Sequence, residues 1–146
     1  MDFMKLLEKA QSIADIEDVF EVDHFLKSMA IEYLTGSWDN LRNRHNYYLY
    51  KQPNGKWIYL SNDFDHSFGI NTDVIVFGTV TPDLPELMVF HNMDYPNYSL
   101  EDWMTNEFHI INISIFKDPS RFNQILKSIV ENVYNHVYNP TTLYHI

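Results

Sequence analysis

Three carboxylates and one amide, all between positions 38 and 69, are the residues best suited to chemistry: Asp39, Asn46, Asp63 and Asp65. Carboxylate and amide oxygens are hard ligands, the kind that proteins use to hold Mg²⁺ or Mn²⁺ beside phosphate. Two carboxylates about 5 Å apart repel each other by roughly 3 kcal/mol at an effective dielectric constant of about 20, and a divalent cation between them reverses that repulsion. The residue types therefore predict a metal site for phosphoryl transfer, provided that the fold brings the four side chains together.

A β-hairpin is the element that can bring them together. Residues 46–51 are rich in aromatic side chains, which favour strands. The pair Asn54-Gly55 follows, and Asn-Gly is the strongest short-range signal for a two-residue type I′ turn, since both central positions of that turn need a positive φ. Residues 56–60 then provide the returning strand.

The pairing register of this hairpin decides which polar residues meet. With a two-residue Asn-Gly loop, Asn46 lies opposite Asp63, whereas a four-residue loop places Asn46 opposite Ser61. Because successive side chains alternate between the two faces of a strand, Asp65 shares a face with Asp63 if the chain stays extended. The alternative interpretation is that the two aspartates only cap a turn, while the asparagine lies exposed on a strand edge.

Two histidines and two arginines lie close to the predicted ligands in the sequence. His66 directly follows Asp65, where it is placed to orient a carboxylate or a phosphate, and His45 directly precedes the asparagine. The alternative for both histidines is a surface position without a functional role. Arg42 and Arg44 likewise either contact a phosphate or pair with the acidic surface.

Helices account for most of the remaining chain, so the predicted fold class is α+β and mostly helical. Residues 2–14 read as a short amphipathic helix, and a second helix begins with Asp23 as its N-cap and ends at Gly36. Asp39 then falls in the polar loop 37–45. The apolar residues of the second helix have the spacing of a buried stripe: Phe25, Leu26, Met29, Ala30, Tyr33 and Leu34.

The C-terminal half is less regular. The apolar run at 74–77 predicts either a strand or a buried helical segment, and the prolines at positions 82, 85 and 96 predict irregular structure around them. Ser99 begins a capping box and a helix that extends to about residue 116. Asp118-Pro119 then opens the clearest helix, which Asn139-Pro140 ends. The inner stripe of this last helix comprises Phe122, Ile125, Leu126, Ile129, Val130, Val133 and Val137.

Composition limits the classes of function. With 146 residues, 45% of them hydrophobic, the chain suits one compact domain. A formal net charge of −10 argues against nucleic acid or anionic membrane as a partner, because both bind basic surfaces, and is compatible with cations or a Lys/Arg-rich protein. The absence of cysteine excludes disulfides and thiolate zinc sites. The sequence shows neither a transmembrane run nor a secretory signal.

The stretch around the four polar residues resembles the core of the CotH kinase family, the spore-coat protein H-like secreted kinases. The similarity is strongest over residues 23–69 and continues through the last helix, whereas residues 70–107 match poorly and are interpreted as an insertion. The matching pieces are Gly36-Ser37-Trp38-Asp39-Asn40, Asn46-Tyr47-Tyr48-Leu49-Tyr50, a strand with Trp57, Asp63-Phe64-Asp65-His66-Ser67-Phe68-Gly69, Phe116-Lys117-Asp118-Pro119 and Tyr138-Asn139-Pro140.

The resemblance implies an atypical protein-kinase-like fold and a role for each polar residue. Asp39 is similar to the catalytic-loop aspartate, which accepts or orients the proton of the substrate hydroxyl. Asn46 resembles the catalytic-loop asparagine and Asp63 the aspartate of the D-F-G element, both of which bind the metal ion of the nucleotide cofactor. Asp65 is a second ligand or an orienting neighbour. Ordinary kinases place the catalytic Asp and the Asn five residues apart after His-Arg, whereas here they are seven apart and no His-Arg precedes.

Two classes of function stay open. Protein kinases need a Gly-rich phosphate loop, a lysine and a helix glutamate upstream of the catalytic loop, and this chain has four glycines, none in a Gly-x-Gly cluster. The lack of such a cluster predicts a single domain over residues 1–146 that is similar to a kinase C-lobe, without the N-lobe. The first class is an ATP- and Mg²⁺- or Mn²⁺-dependent kinase acting on serines of a protein, such as a basic, Ser-rich coat or surface protein. The second is a non-catalytic binding or structural module. The resemblance implies an extracellular, cell-surface or spore-coat location.

Overall fold

The computed structural model describes residues 3–70, 97–104 and 108–134. Within these ranges the fold is α+β, as predicted, with a two-stranded antiparallel hairpin among short helices. The helices are α1 (Phe3–Lys9), α2 (Val22–Thr35), α3 (Leu100–Trp103), α4 (His109–Ile111) and α5 (Pro119–Ile129), and the strands are β1 (Tyr47–Lys51) and β2 (Trp57–Ser61). Short 3-10 turns lie at Ile13–Asp15 and Leu41–Asn43, and π-helical turns extend α4 over Asn112–Phe116 and α5 over Val130–Tyr134.

The core forms where α2 packs against both α5 and β2. Phe25 of α2 meets the ring of Tyr59 edge-on with 5.4 Å between the ring centroids, and Tyr47 stacks on Tyr59 with 5.2 Å between the centroids. Phe122 contributes the fully buried side chain of α5. Aromatic side chains bury large areas and stabilise such pairs further by their edge and face geometry. The hairpin is therefore held on the helical layer by its inner face.

The helix α2 begins before the predicted N-cap. Asp23 lies in its first turn, so the prediction that Asp23 caps the helix is wrong. The physical reason is that the preceding chain pairs with β2: Trp57 N donates to Val19 O at 2.7 Å, and Glu21 N donates to Trp57 O at 2.8 Å. The helix can begin once the chain leaves this pairing at Val22. Its predicted stripe is confirmed for Phe25, Leu26, Met29 and Ala30, which are buried, whereas Tyr33 and Leu34 are half-buried.

The hairpin exists as predicted, but both predicted registers are wrong by one residue. Tyr47 pairs with Ser61, and Asn62 N donates to Asn46 O at 2.7 Å, so Asn46 lies opposite Asn62. The loop has three residues, 53–55, because Gly55 N donates to Gln52 O at 2.9 Å and closes a β-turn. Pro53 suits the second position of that turn, and Gly55 follows with a φ of 93°. A three-residue loop with glycine in the left-handed region is the next commonest hairpin connection.

The helices near the C-terminus begin with the predicted caps but follow different courses. Ser99 and Asp102 form the reciprocal capping box, and the Asp118 carboxylate accepts a hydrogen bond from Ser120 N at 3.2 Å. The predicted single helix from Ser99 to about 116 is wrong, because α3 ends at Trp103 and Met104 adopts an extended conformation. Of the predicted inner stripe, Phe122 is buried and Ile125, Leu126, Ile129 and Val130 are half-buried, whereas Val133, on the π-helical extension of α5, is exposed.

Other predictions fall partly or wholly outside the described residues. The first helix ends at Lys9 rather than near residue 14. The apolar run 74–77, the three prolines, Val137 and Asn139-Pro140 lie outside the described ranges, as does most of the segment 70–107 interpreted as an insertion.

Candidate functional site

The loop between α2 and β1 brings Asp39 and Asn46 into direct contact. Asn46 Nδ2 donates to Asp39 Oδ2 at 2.9 Å, and Asn43 Nδ2 donates to the other carboxylate oxygen at 2.7 Å. Gly36, with a φ of 61°, ends α2 and lets the chain turn into this loop. The Asp39 side chain is only 13% exposed. A carboxylate held in this way is fixed in both position and orientation.

Two histidines complete the surroundings of Asp39. His45 Nδ1 lies 3.4 Å and His66 Nδ1 lies 3.5 Å from Asp39 Oδ2. The His66 ring stacks on Trp38, with 4.8 Å between the ring centroids and an interplanar angle of 12°. The segment that carries His66 is anchored to the end of α2, because Phe68 N donates to Thr35 O at 2.7 Å. The backbone hydrogen bond between Phe68 and Thr35 thus holds His66 next to Asp39.

Asp63 and Asp65 lie just beyond β2 and are both exposed. Asp63 Oδ1 accepts a hydrogen bond from Asp65 N at 3.3 Å, and Asp65 Oδ2 lies 3.8 Å from His66 Nε2. The chain does not stay extended to Asp65, since β2 ends at Ser61 and Asp63 has a φ of 59°. No group of three or more His, Asp or Glu side chains within the described ranges has the arrangement of a metal site.

The four predicted site residues therefore form two pairs. One is Asp39 with Asn46, and the other is Asp63 with Asp65; His66 lies between them, near a carboxylate oxygen of each pair. All the candidate ligand atoms are oxygens, which matches the preference of Mg²⁺ and Mn²⁺.

Asn46 and Asp63 share an uncommon backbone conformation. Their φ angles are 45° and 59°, in the left-handed region. Most residues pay roughly 1–2 kcal/mol there, and Asn and Asp are the side chains that tolerate it best. Such conformations persist where the surrounding structure holds them, and they concentrate at functional sites. One of these residues precedes β1 and the other follows β2, so the two flank the open end of the hairpin.

The buried carboxyl group of Glu32, which the sequence reasoning missed, is hydrogen-bonded to the elements that carry the site. Glu32 is 2% exposed and accepts hydrogen bonds from Tyr59 Oη at 2.9 Å, Ser61 Oγ at 2.6 Å and Leu41 N at 3.3 Å. Burial raises the pKa of Glu32 to about 7, although its three donors act in the opposite direction. The same burial raises the pKa of the Tyr59 hydroxyl. Glu32 joins α2, the end of β2 and the loop that follows Asp39.

Arg42 anchors the same loop to the α3 segment. Its guanidinium carbon lies 5.1 Å from the ring centroid of Trp103 and 5.5 Å from that of Tyr98. Arg42 Nη1 donates to Asp102 O at 3.1 Å and to Trp103 O at 3.0 Å. Burial lowers the pKa of the guanidinium. These contacts give Arg42 a packing role that neither sequence alternative included, and only the long-range fold could reveal it.

Comparison with known proteins identifies the family of the chain. The family model described as "CotH kinase protein" matches residues 1–146. The chain belongs to the CotH kinase protein family, which confirms the resemblance inferred from the sequence.

Several relatives come from Rhizopus delemar. The chain is 32% identical to Invasin CotH2 over 86% of its own length and 20% of that protein. It is 43% identical to Invasin CotH3 over 41% of the chain and 10% of that protein. Spore coat protein homolog 1 is 33% identical over 43% of the chain and 11% of its own length. The chain thus spans a fifth or less of these relatives.

No solved structure matches the chain. Among the described residues, no helix has the length and apolar character needed to cross a membrane.

Proposed function

We propose that this chain is the phosphoryl-transfer portion of a CotH-type atypical protein kinase, which uses ATP with Mg²⁺ or Mn²⁺ to phosphorylate serines of a protein. The contact between Asp39 and Asn46 carries this proposal. It joins the residue that resembles the catalytic-loop aspartate to the residue that resembles the metal-binding asparagine. The exposed carboxylates of Asp63 and Asp65 follow on the other side of the hairpin end.

The hydrogen bonding within the pair suits these roles. Because Asn46 directs its Nδ2 to Asp39, its side-chain oxygen Oδ1 is left as the ligand that a hard cation would use. Asp39 keeps a fixed orientation through Asn43 and Asn46, as a group that receives or orients a hydroxyl proton requires. Asp63 and Asp65 supply carboxylate oxygens for the same cation. Such a cation, when bound with ATP, neutralises the charge that develops on the transferred phosphoryl group.

The charge of the chain favours a basic protein as substrate. A formal net charge of −10 attracts Lys/Arg-rich segments and repels nucleic acid and anionic membranes. The names of the relatives, invasin and spore coat protein homolog, are consistent with a cell-surface or coat location. We therefore propose a basic, Ser-rich coat or surface protein as the substrate.

A non-catalytic binding or structural module is the second candidate. The observation that favours it is the glycine content, since none of the four glycines forms a Gly-x-Gly cluster that could close over phosphates. Phosphoryl transfer depends almost wholly on positioning and electrostatic stabilisation, so a site without a phosphate clamp should transfer very slowly.

Calorimetric titration with Mn²⁺ and then ATP separates the two candidates. For a kinase site we expect Mn²⁺ binding that Asp63→Ala reduces at least tenfold. The matched control is Glu131→Gln, which removes one negative charge from an exposed position on the extension of α5 and should change affinity less than twofold. In a transfer assay with [γ-³²P]ATP, Asp39→Asn should lose phosphorylation while it keeps Mn²⁺ binding. If the titration shows no heat of binding for either Mn²⁺ or ATP, the non-catalytic module is favoured instead.

A further inference from the structure

The side chain of Asn40 lies near the site and makes several hydrogen bonds. Neither the sequence reasoning nor the family resemblance gives this residue a role. It is fully buried. Its Nδ2 lies 2.9 Å from Asn62 O, 3.1 Å from Asn46 O and 3.4 Å from Asp63 O. Its Oδ1 accepts a hydrogen bond from Ser37 Oγ. All polar atoms of this side chain are therefore in use.

The three carbonyl groups belong to the open end of the hairpin. Asn46 directly precedes β1, while Asn62 and Asp63 directly follow β2. An amide group has two hydrogens, so the longest contact, to Asp63 O, is shared with a shorter one. One buried side chain thus binds the backbone on both sides of the hairpin end.

Two of these three contacts fall on residues in the left-handed conformation. The carbonyl groups that Asn40 binds include those of Asn46 and Asp63, whose φ angles are 45° and 59°. The donating side chain of Asn40 is fully buried, whereas Asn46 is half-buried and Asp63 is exposed, so the hydrogen bonds tie the exposed end of the hairpin to the interior. Asn40 therefore stabilises the backbone geometry that aims the side chains of both residues.

We propose that Asn40 is the positioning residue of the site: its amide fixes the backbone of Asn46 and Asp63 and so sets where their side chains lie relative to Asp39. The relevance of this role to catalysis rests on the proposed function, whereas the positioning itself does not. Because Asp39 and Asn40 are adjacent, a single dipeptide holds the side chain of Asn46 through one residue and its backbone through the next.

Two substitutions separate hydrogen-bond donation from simple filling of space. Asn40→Leu keeps the branched shape and the number of side-chain heavy atoms, and fills the space at least as fully, but removes the side-chain donor from the three carbonyl groups. Asn40→Ser creates room for a water molecule, which can donate to two of them. If donation matters, Asn40→Leu is the more damaging change. If volume matters, Asn40→Ser is.

Amide hydrogen exchange rates, measured by NMR, report on the stability of the open end of the hairpin. The probe is the amide of Asn62, which donates to Asn46 O, and the reference is the amide of Ile58 within β2. We expect Asn40→Leu to accelerate exchange at Asn62 at least tenfold more than at Ile58, and Asn40→Ser to have a smaller effect. Phe122→Leu, a change in the distant core, is the control and should accelerate both amides by similar factors.

Mn²⁺ affinity, measured on the same variants, links the positioning to the site. We expect Asn40→Leu to weaken Mn²⁺ binding at least tenfold and Phe122→Leu less than twofold. Equal acceleration at Asn62 and Ile58 in Asn40→Leu, or a larger selective effect in Asn40→Ser, would overturn the positioning role. If the leucine variant does not fold, Asn40→Ser compared with Phe122→Leu decides by the same ratio. Failure of the unaltered protein to bind Mn²⁺ contradicts the proposed function alone, since the exchange ratio still reports on Asn40.

Discussion

Tyr59 donates a hydrogen bond to Glu32 at 2.9 Å inside the core, and neither residue is more than 2% exposed. A carboxyl group in such a place is stabilised in its neutral form, because burial removes the water that would solvate the charge. The partners Ser61 and Leu41 belong to the end of β2 and to the loop that follows Asp39. The protonation state of Glu32 is thus linked to the elements that carry the site.

We expect the stability of the protein to fall as pH rises from about 4.5 to about 7, the ordinary and the raised pKa of Glu32. In this window the folded state binds more protons than the unfolded state. The contribution of Glu32 to the free energy of unfolding is therefore fully present below the ordinary pKa of 4.5 and is lost as pH rises through the raised pKa of about 7. The shift corresponds to roughly 3 kcal/mol over the whole window. Urea denaturation at a series of pH values measures it.

Glu32→Gln is the matched variant for this measurement, because the amide has almost the same shape but does not titrate. It should flatten the slope between pH 4.5 and 7, whatever its effect on absolute stability. The capping aspartates Asp15, Asp102 and Asp118 have pKa values lowered by hydrogen bonds, so their contributions change below their ordinary value of 3.8, outside this window. An unchanged slope in Glu32→Gln would show that another group is responsible.

Replacing Arg42 by lysine should loosen the attachment of α3 to the loop. Lysine keeps the charge but loses the planar group that stacks on Tyr98 and Trp103 and bonds two carbonyl groups. We expect a loss of about 1–3 kcal/mol in the free energy of unfolding. Lys127→Gln, which removes an exposed pair with Glu131, is the control and should change stability by about 0.5 kcal/mol or less. Equal effects would rule out a special role for Arg42.

The hairpin shows how far local sequence signals reach. The aromatic run and Asn54-Gly55 predicted both strands, because strand propensity and positive-φ preference are properties of neighbouring residues. The register depended on Pro53, which enters the loop as the second residue of a turn and lengthens it to three residues. A shift of one residue moves every pairing partner, and so Asn46 faces Asn62 instead of Asp63.

The site depends on contacts that no local pattern encodes. Asp39 and Asn46 were identified by residue type and by family resemblance, and the structure brings them together. His66 reaches Asp39 only because the segment after β2 bonds the end of α2, and Arg42 reaches Trp103 across sixty-one positions of sequence. Glu32 reads in the sequence as an ordinary exposed helix residue, since its burial follows from how β2 packs on α2.

Arg121 should stabilise the protein in a salt-dependent way. It joins α5 to the segment before α2 through Glu17 and to the first turn of α2 through Asp23, at 2.8 Å. These side chains are 34–60% exposed, so salt screens the interaction. We expect Arg121→Gln to lose about 0.5–1 kcal/mol at low salt and to approach the unaltered protein in 1 M NaCl. A loss that does not change with salt would point to packing of the side chain instead.

Asp63 and Asp65 should contribute unequally to Mn²⁺ binding if the proposed function is right. The backbone of Asp63 is held by Asn40, and its carboxylate accepts a bond from Asp65 N. The Asp65 side chain is 64% exposed and must lose more freedom to reach a cation. We expect Asp63→Asn to weaken Mn²⁺ binding at least tenfold, and Asp65→Asn by about half that effect on a logarithmic scale, since both remove one charge but only one removes a preorganised ligand. Calorimetry at constant ionic strength checks the order. A larger effect of Asp65→Asn would place the cation next to His66 instead of at the end of the hairpin.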